Sequence, residues 1–259
     1  KFIMAYTTIN KSTDYFNTVL YTGTGATQTI SGVGHQPDFI WVKQRGDAGY
    51  DHSLHNSVSG LLKQLISNTP TAEITNTDTV TSNNADGFVL GADSAGPNAN
   101  SNNQNTKTYA AWNWKANGQG SSNTVGTINT TYTSANTTAG FSIVSYPGNG
   151  VAGATVGHGL GVAPKVIIIK QLTGATNFTV YHSGLGNFAK YLYLDATNAV
   201  ATDSGNFDNV PNANTFLLGS NNQVNASSGS KYIAYCFAEK QGYSKFGSYT
   251  GNGNANGTF

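Results

Sequence analysis

The chain has 259 residues, room for one large or two ordinary domains, and 38% of them are apolar, with 14 Tyr, 12 Phe and 3 Trp to fill a core without disulfides or metals. Charged residues make up only 10%, with 13 Lys and Arg against 12 Asp and Glu, so electrostatics gives no basis for nucleic acid or an anionic membrane as partner. Asn, Ser, Thr and 31 Gly stand where Lys and Glu are usual, which disfavours long surface helices and favours strands joined by turns.

Residues 1–14 read as an N-terminal arm; its only Met, Met4, is a candidate initiator. The N-terminal residues lack the basic and apolar regions of a secretory signal, and no stretch approaches the roughly 20 apolar residues of a membrane span. The first strand pattern, Tyr15-Phe-Asn-Thr-Val-Leu20, runs into a turn motif, Tyr21-Thr-Gly-Thr-Gly25, whose glycines suit positive φ. A buried strand follows, Pro37-Asp-Phe-Ile-Trp-Val-Lys43. Leu61 to Ser67 has helical spacing but is assigned as a strand by analogy with Tyr191-Leu-Tyr-Leu194. Asp86-Gly-Phe-Val-Leu-Gly91 and Lys107-Thr-Tyr-Ala-Ala-Trp-Asn-Trp114 are further strands, and the polar run Asn98 to Asn105 between them reads as a surface loop. Gly118 to Asn136 reads as a link.

The same order then recurs. Phe141-Ser-Ile-Val-Ser145 leads to a second turn motif, Tyr146-Pro-Gly-Asn-Gly150. Pro164-Lys-Val-Ile-Ile-Ile-Lys170, Asn214-Thr-Phe-Leu-Leu-Gly219 and Lys231-Tyr-Ile-Ala-Tyr-Cys-Phe237 match the three later blocks of the first half. A third turn motif, Tyr249-Thr-Gly-Asn-Gly253, follows the strand-like Tyr243-Ser-Lys-Phe-Gly-Ser248. Four matched blocks in one order imply duplication. The expectation is an all-β chain of two tandem antiparallel β-sandwich units, jelly-roll or concanavalin-like: residues 15–139, residues 140–241, and 242–259 as the start of a third repeat or a closing strand.

Nothing in this pattern selects an active site. With only two glutamates, Glu73 and Glu239, a glycosidase pair would need aspartates, and Asp38, Asp47, Asp51 and Asp86 sit where Asp closes turns. Asp51-His-Ser53 and Tyr181-His-Ser183 look equivalent in the two units, but adjacent residues of a strand face opposite ways, so a structural role is expected. His35 and His158 fall out of register with each other. No His/Cys cluster has zinc spacing, no acidic loop has calcium spacing, and Gly157-His-Gly-Leu-Gly161 precedes a strand rather than opening a helix. Cys236 lies in an apolar run, as a small buried hydrophobe would. No catalytic residue, metal or cofactor is therefore expected. Trp112 and Trp114 share one face of their strand; they are either core residues or a stacking platform for sugar rings.

Tyr146-Pro-Gly-Asn-Gly150, Val156-Gly-His-Gly-Leu-Gly161, Ala163-Pro-Lys-Val-Ile168, Tyr235-Cys-Phe-Ala-Glu239 and Gly242-Tyr-Ser-Lys-Phe-Gly-Ser-Tyr-Thr-Gly-Asn-Gly253 resemble a repeated β domain of structural proteins of marine tailed phages, of the cyanophage and pelagiphage kind. The resemblance covers nearly the whole chain. It implies a virion protein without enzymatic activity, in a tail fibre or host-attachment appendage or, second, a capsid decoration. Expected partners are further copies of the chain in a trimer, other virion proteins, and a host surface glycan. The alternative from another class is a secreted, lectin-like carbohydrate-binding protein.

Overall fold

The computed structural model describes residues 6–47, 49–96, 98–227 and 229–254; Met4 lies outside them. The first half contributes nine strands: β1 (Phe16–Thr22), β2 (Gln28–Ile30), β3 (Phe39–Gln44), β4 (Ser53–Asn56), β5 (Lys63–Gln64), β6 (Ile74–Thr75), β7 (Val80–Asn84), β8 (Gly87–Leu90) and β9 (Thr108–Trp114). The rest of the chain forms β10 (Tyr132–Asn136), β11 (Phe141–Pro147), β12 (Ala154–Gly157), β13 (Val166–Gln171), β14 (Thr179–His182), β15 (Lys190–Tyr193), β16 (Ala201–Thr202), β17 (Thr215–Leu218), a four-residue helix α1 (Asn222–Asn225) and β18 (Lys231–Phe237). The fold is all-β, and every pairing between these strands is antiparallel.

The two halves share a strand order. One large sheet runs β1-β9-β3-β4, and the other contains β11-β18-β13-β14, extended by β10 at one edge and by β15 and β16 at the other. A small sheet, β2-β8-β7, packs on the first, and a two-stranded one, β12-β17, on the second. Register carries the likeness to single residues: Phe39 pairs with Trp114 and Tyr21 with Tyr109, while Val166 pairs with Phe237 and Tyr146 with Tyr232.

Three cores hold these layers. Ile40, Val42, Tyr109 and Ala111 of the first large sheet meet Ile30, Val80, Phe88 and Leu90 of its small sheet. Ile167, Ile169, Tyr146 and Tyr232 of the second meet Val156, Phe216 and Leu218. A third, aromatic core lies between the two large sheets, where Phe39 and Leu54 pack with Phe141, Ile143, Ile233 and Tyr235, and Trp41, Trp114, Ile168 and Phe237 lean on them. The sandwiches are therefore not separate tandem beads but four layers stacked through a shared interior. This explains the unbroken apolar runs Phe39 to Val42 and Val166 to Ile169: alternate side chains enter different cores, and both must be apolar.

Four expectations change. Ser101, Asn102 and Asn103, assigned to a surface loop, are wholly buried, because the loop folds back over the turn at Tyr21 and hydrogen-bonds with it. In the expected link, β10 extends the second large sheet and Ile128 enters its outer core, so the boundary expected at Ala139 falls inside the β10–β11 hairpin. Only Lys63 and Gln64 of the Leu61 to Ser67 segment form a strand. Tyr243 to Ser248 forms none. In both halves the strand leading into the turn motif pairs with the last strand of its own unit, β1 with β9 and β11 with β18; among the described residues the stretch leading into the third motif has no such partner.

Candidate functional site

Strand β9 alternates, so Tyr109 and Ala111 enter the outer core while Trp112 and Trp114 face the other large sheet. Both tryptophans are half-buried. Trp112 meets the edge of Trp41 at 6.4 Å, and the Trp41 indole N–H donates to His52 Nδ1 at 2.9 Å. Trp114 packs on Phe16 at 4.8 Å and Phe39 at 5.1 Å, with Phe141 and Phe237 each at 6.3 Å. The structure thus does not give the pair a common groove: Trp114 works mainly as a core ring, and Trp112 joins the same cluster only through Trp41, which meets Phe39 at 6.4 Å.

Trp114 also lines an open cavity of about 450 Å³, walled by Phe16, Phe141, Phe237, Tyr243 and Phe246, with hydroxyls from Ser12 and Ser244. One wall is the segment after β18. It is held there by the Phe246 N–H donating to Glu239 Oε1 at 3.2 Å, by the Phe246–Phe237 ring contact at 6.2 Å and by Tyr243 meeting Tyr15 at 6.3 Å. Aromatic walls with a few hydroxyls suit the apolar face of a sugar ring or of a peptide side chain, and no acid–base pair sits among them. The sequence signal for these walls is the aromatic stretch preceding each turn motif, which supplies Phe16, Phe141 and Phe246, one from each copy.

His55, His182 and four aspartates, side chains that chemistry could recruit, have partners elsewhere. His55 is fully buried beside Ser53 and Gln64. The Leu61 carbonyl accepts from its Nδ1 at 2.8 Å, so Nε2 is the acceptor for the Ser53 hydroxyl at 2.8 Å, and Ser53 in turn accepts from Gln64 Nε2 at 2.6 Å. Burial holds the His55 imidazole down at about 4. This is the hydrogen-bond pattern of a nucleophile and its base, but no solvent or substrate reaches it, and sequence reading did not single it out. His52 and His182 are not equivalent, contrary to expectation. His182 pairs with Val166, the counterpart of Phe39, so its own counterpart is Asn56. Its Nδ1 instead accepts from the Gly184 N–H at 3.0 Å and caps a short 3-10 turn.

The aspartates bind backbone or close loops. Asp86 accepts from the Gly34 and Gly32 N–H groups at 2.7 and 3.0 Å, which hold its carboxyl below the usual range. Asp38 accepts from Ala116 N–H at 2.7 Å, although burial pushes its carboxyl up. Asp47 pairs with Lys107 at 2.7 Å, and Asp51 accepts from Asn68 at 2.7 Å. Among the described residues no group of three His, Cys, Asp or Glu could hold a metal ion, and no helix is long and apolar enough to cross a membrane.

The most elaborate polar constellation is built twice. Tyr21 stacks on Tyr109 at 5.0 Å and Tyr146 on Tyr232 at 5.3 Å. Each turn-motif tyrosine donates to a loop carbonyl, Tyr21 to Asn102 at 2.7 Å and Tyr146 to Val224 at 2.8 Å. Each partner ring does likewise, Tyr109 to Asn100 at 3.0 Å and Tyr232 to Asn222 at 2.7 Å, while Gln44 and Gln171 donate to the partner hydroxyls. A buried asparagine completes each lock. Asn103 donates to the carbonyls of Ala26 and Gly91 and accepts from Thr24 N–H; Asn225 donates to Val151 and Gly219 and accepts from Asn149 N–H.

Residues 11–259 match the family described as a domain of unknown function, DUF7483. No curated protein and no solved structure matches the chain. With all but its first ten residues inside that match, the chain belongs to the DUF7483 family.

Proposed function

We propose that this chain is a non-enzymatic structural component of a phage virion, placed in a tail fibre or other host-attachment appendage. The observation that carries the structural half of this reading is the twice-built Tyr–Tyr–Asn lock: the most highly connected polar groups pin turns to strands rather than face a cleft. Stacking two sandwiches through one aromatic core adds rigidity of the kind a load-carrying appendage needs. The virion assignment rests on the resemblance of Gly242 to Gly253 and the matching turn motifs to phage structural proteins.

Antibodies raised against the purified chain test it by immunogold microscopy on particles from the source culture. Labelling at a fixed point on a tail or capsid is the expected result. The Trp114-lined cavity favours the second reading, a carbohydrate-binding protein. Unlabelled particles, together with glycan-array binding that Trp114→Ala abolishes in a chain that still folds, would replace the first reading with the second.

A further inference from the structure

The strands leading into the two turn motifs differ at their outer edges. β11 is covered by β10, whereas among the described residues no strand pairs with the equivalent edge of β1. At its two ends Gly23 N–H donates to Lys107 and Lys115 N–H donates to Tyr15, so the alternation directs the backbone groups of Phe16, Thr18, Leu20 and Thr22 away from β9. Two of these groups have side-chain partners: Thr18 N–H donates to Asn17 Oδ1 at 2.9 Å, and the Thr22 carbonyl accepts from Gln28 at 3.3 Å. Leu20 is 64% exposed.

Edge strands of soluble proteins are normally blunted by brevity, charge, proline or a bulge. Among the described residues the other sheet edges obey this. β5, β6 and β16 have two residues each and β2 three, β7 is irregular between Val80 and Ser82, and isolated bridges from Leu65, Ser121, Ile128 and Phe207 cover β4, β10, β12 and β17. β1 is seven residues long, with no charge, proline or bulge.

We propose that β1 is a homodimerisation edge, pairing antiparallel with β1 of a second copy across a twofold axis at Val19. This register sets Thr18 opposite Leu20 and Phe16 opposite Thr22, the residues whose backbone groups point outward, and allows about eight hydrogen bonds with no opposed charges once the Asn17 and Gln28 side chains release the Thr18 N–H and the Thr22 carbonyl. A second copy is the occupant because β1 itself supplies the one equally long, uncovered strand edge among the described residues. The inference stands whether or not the chain is a virion component.

Sedimentation equilibrium of the full chain tests it. The wild type should be a concentration-dependent dimer. Thr18→Pro, which removes an N–H that β9 does not use, should weaken association by more than about tenfold while leaving the melting temperature unchanged at dilutions where both proteins are monomeric. If that variant fails to fold, Leu20→Lys at the exposed position takes its place. Val19→Cys should yield a disulfide-linked dimer joined at residue 19, since a non-hydrogen-bonded pair brings the two Cα atoms within reach. A monomer at every concentration, a trimer, or a dimer indifferent to Thr18→Pro and Leu20→Lys would overturn the proposal.

Discussion

The two halves close the same lock with different loops. Between Gly219 and Tyr232 the second half uses the compact helix α1, with Asn221 capping it by accepting from Gln223 N–H at 3.0 Å and Val224 buried in the outer core. Between Gly91 and Tyr109 the first half has a longer loop, with positive φ at Asp93, Asn98, Asn100 and Thr106. There Asp93 holds the position of Asn221, since Asp93 N–H donates to Asp78 as Asn221 N–H donates to Gly205 after the matching glycine. Asp93 accepts from the Asn102 and Asn103 N–H groups at 2.6 and 3.0 Å. The comparison separates what the lock requires, two stacked tyrosines and one asparagine, from what each loop improvises to deliver them. It also shows the loop of the first half bearing a buried carboxyl, Asp93, at the place where the second half has the neutral Asn221.

The most severe break should come where the lock leaves no room. A Cβ on Gly23 would lie 2.2 Å from the Gln104 carbonyl oxygen, and one on Gly148 would lie 2.2 Å from that of Ala226. Both neighbours are backbone and cannot swing aside. Gly23→Ala and Gly148→Ala should each cost about 3 kcal/mol or more, read as a shifted urea midpoint, and equal losses would mark the two locks as mechanically alike. Next in size are Asn103→Ala and Asn225→Ala, each of which strands one buried carbonyl, that of Gly91 or of Gly219, and releases a second carbonyl and a backbone donor of the turn. About 2–3 kcal/mol is expected for each in the same unfolding measurement. A loss confined to Asn225→Ala would show that the longer loop of the first half carries its turn motif by other contacts.

Much of this architecture could be read in the sequence. The Pro-led strands and the blocks ending in Trp114 and Phe237 fall in strands at matching register, and the first two turn motifs follow strands that pair alike. The central core was harder to see, although the unbroken run Phe39 to Val42 signals a strand covered on both faces, which a lone sandwich does not require. The lock asparagines escaped because Asn103 lies six residues before Tyr109 and Asn225 seven before Tyr232, so aligning the strands does not superpose them. Polar composition also misled: Ser101 to Asn103 look like solvent-exposed loop, but their backbone and amide groups are what the Tyr21 turn binds. Of the residues around the cavity, Trp114 stood out in the sequence, while the remaining walls come from three stretches that only the stacking of the sheets brings together.

The smallest expected effect is the one that isolates the buried charge. Burial pushes the carboxyl of Asp93 up to about 6, against the two N–H groups that favour its anion. A raised carboxyl value means that the folded chain holds a proton the unfolded chain has released, between the ordinary value near 4 and about 6. The stabilisation from that proton is complete below this window, declines as pH rises through it, and is absent above. Asp93→Asn keeps an oxygen for the Asn102 and Asn103 N–H groups and imports the residue that the second half uses at Asn221. The variant should match the wild type at pH 4 and exceed it at pH 7.5 by about 1–2 kcal/mol, the difference between the two melting curves cancelling groups that titrate in both. A wild type more stable than Asp93→Asn at pH 7.5 would mean that the folded chain stabilises the Asp93 anion beyond what the two N–H groups supply. The first half would then have gained a charged interaction in its longer loop, where the second relies on a neutral cap.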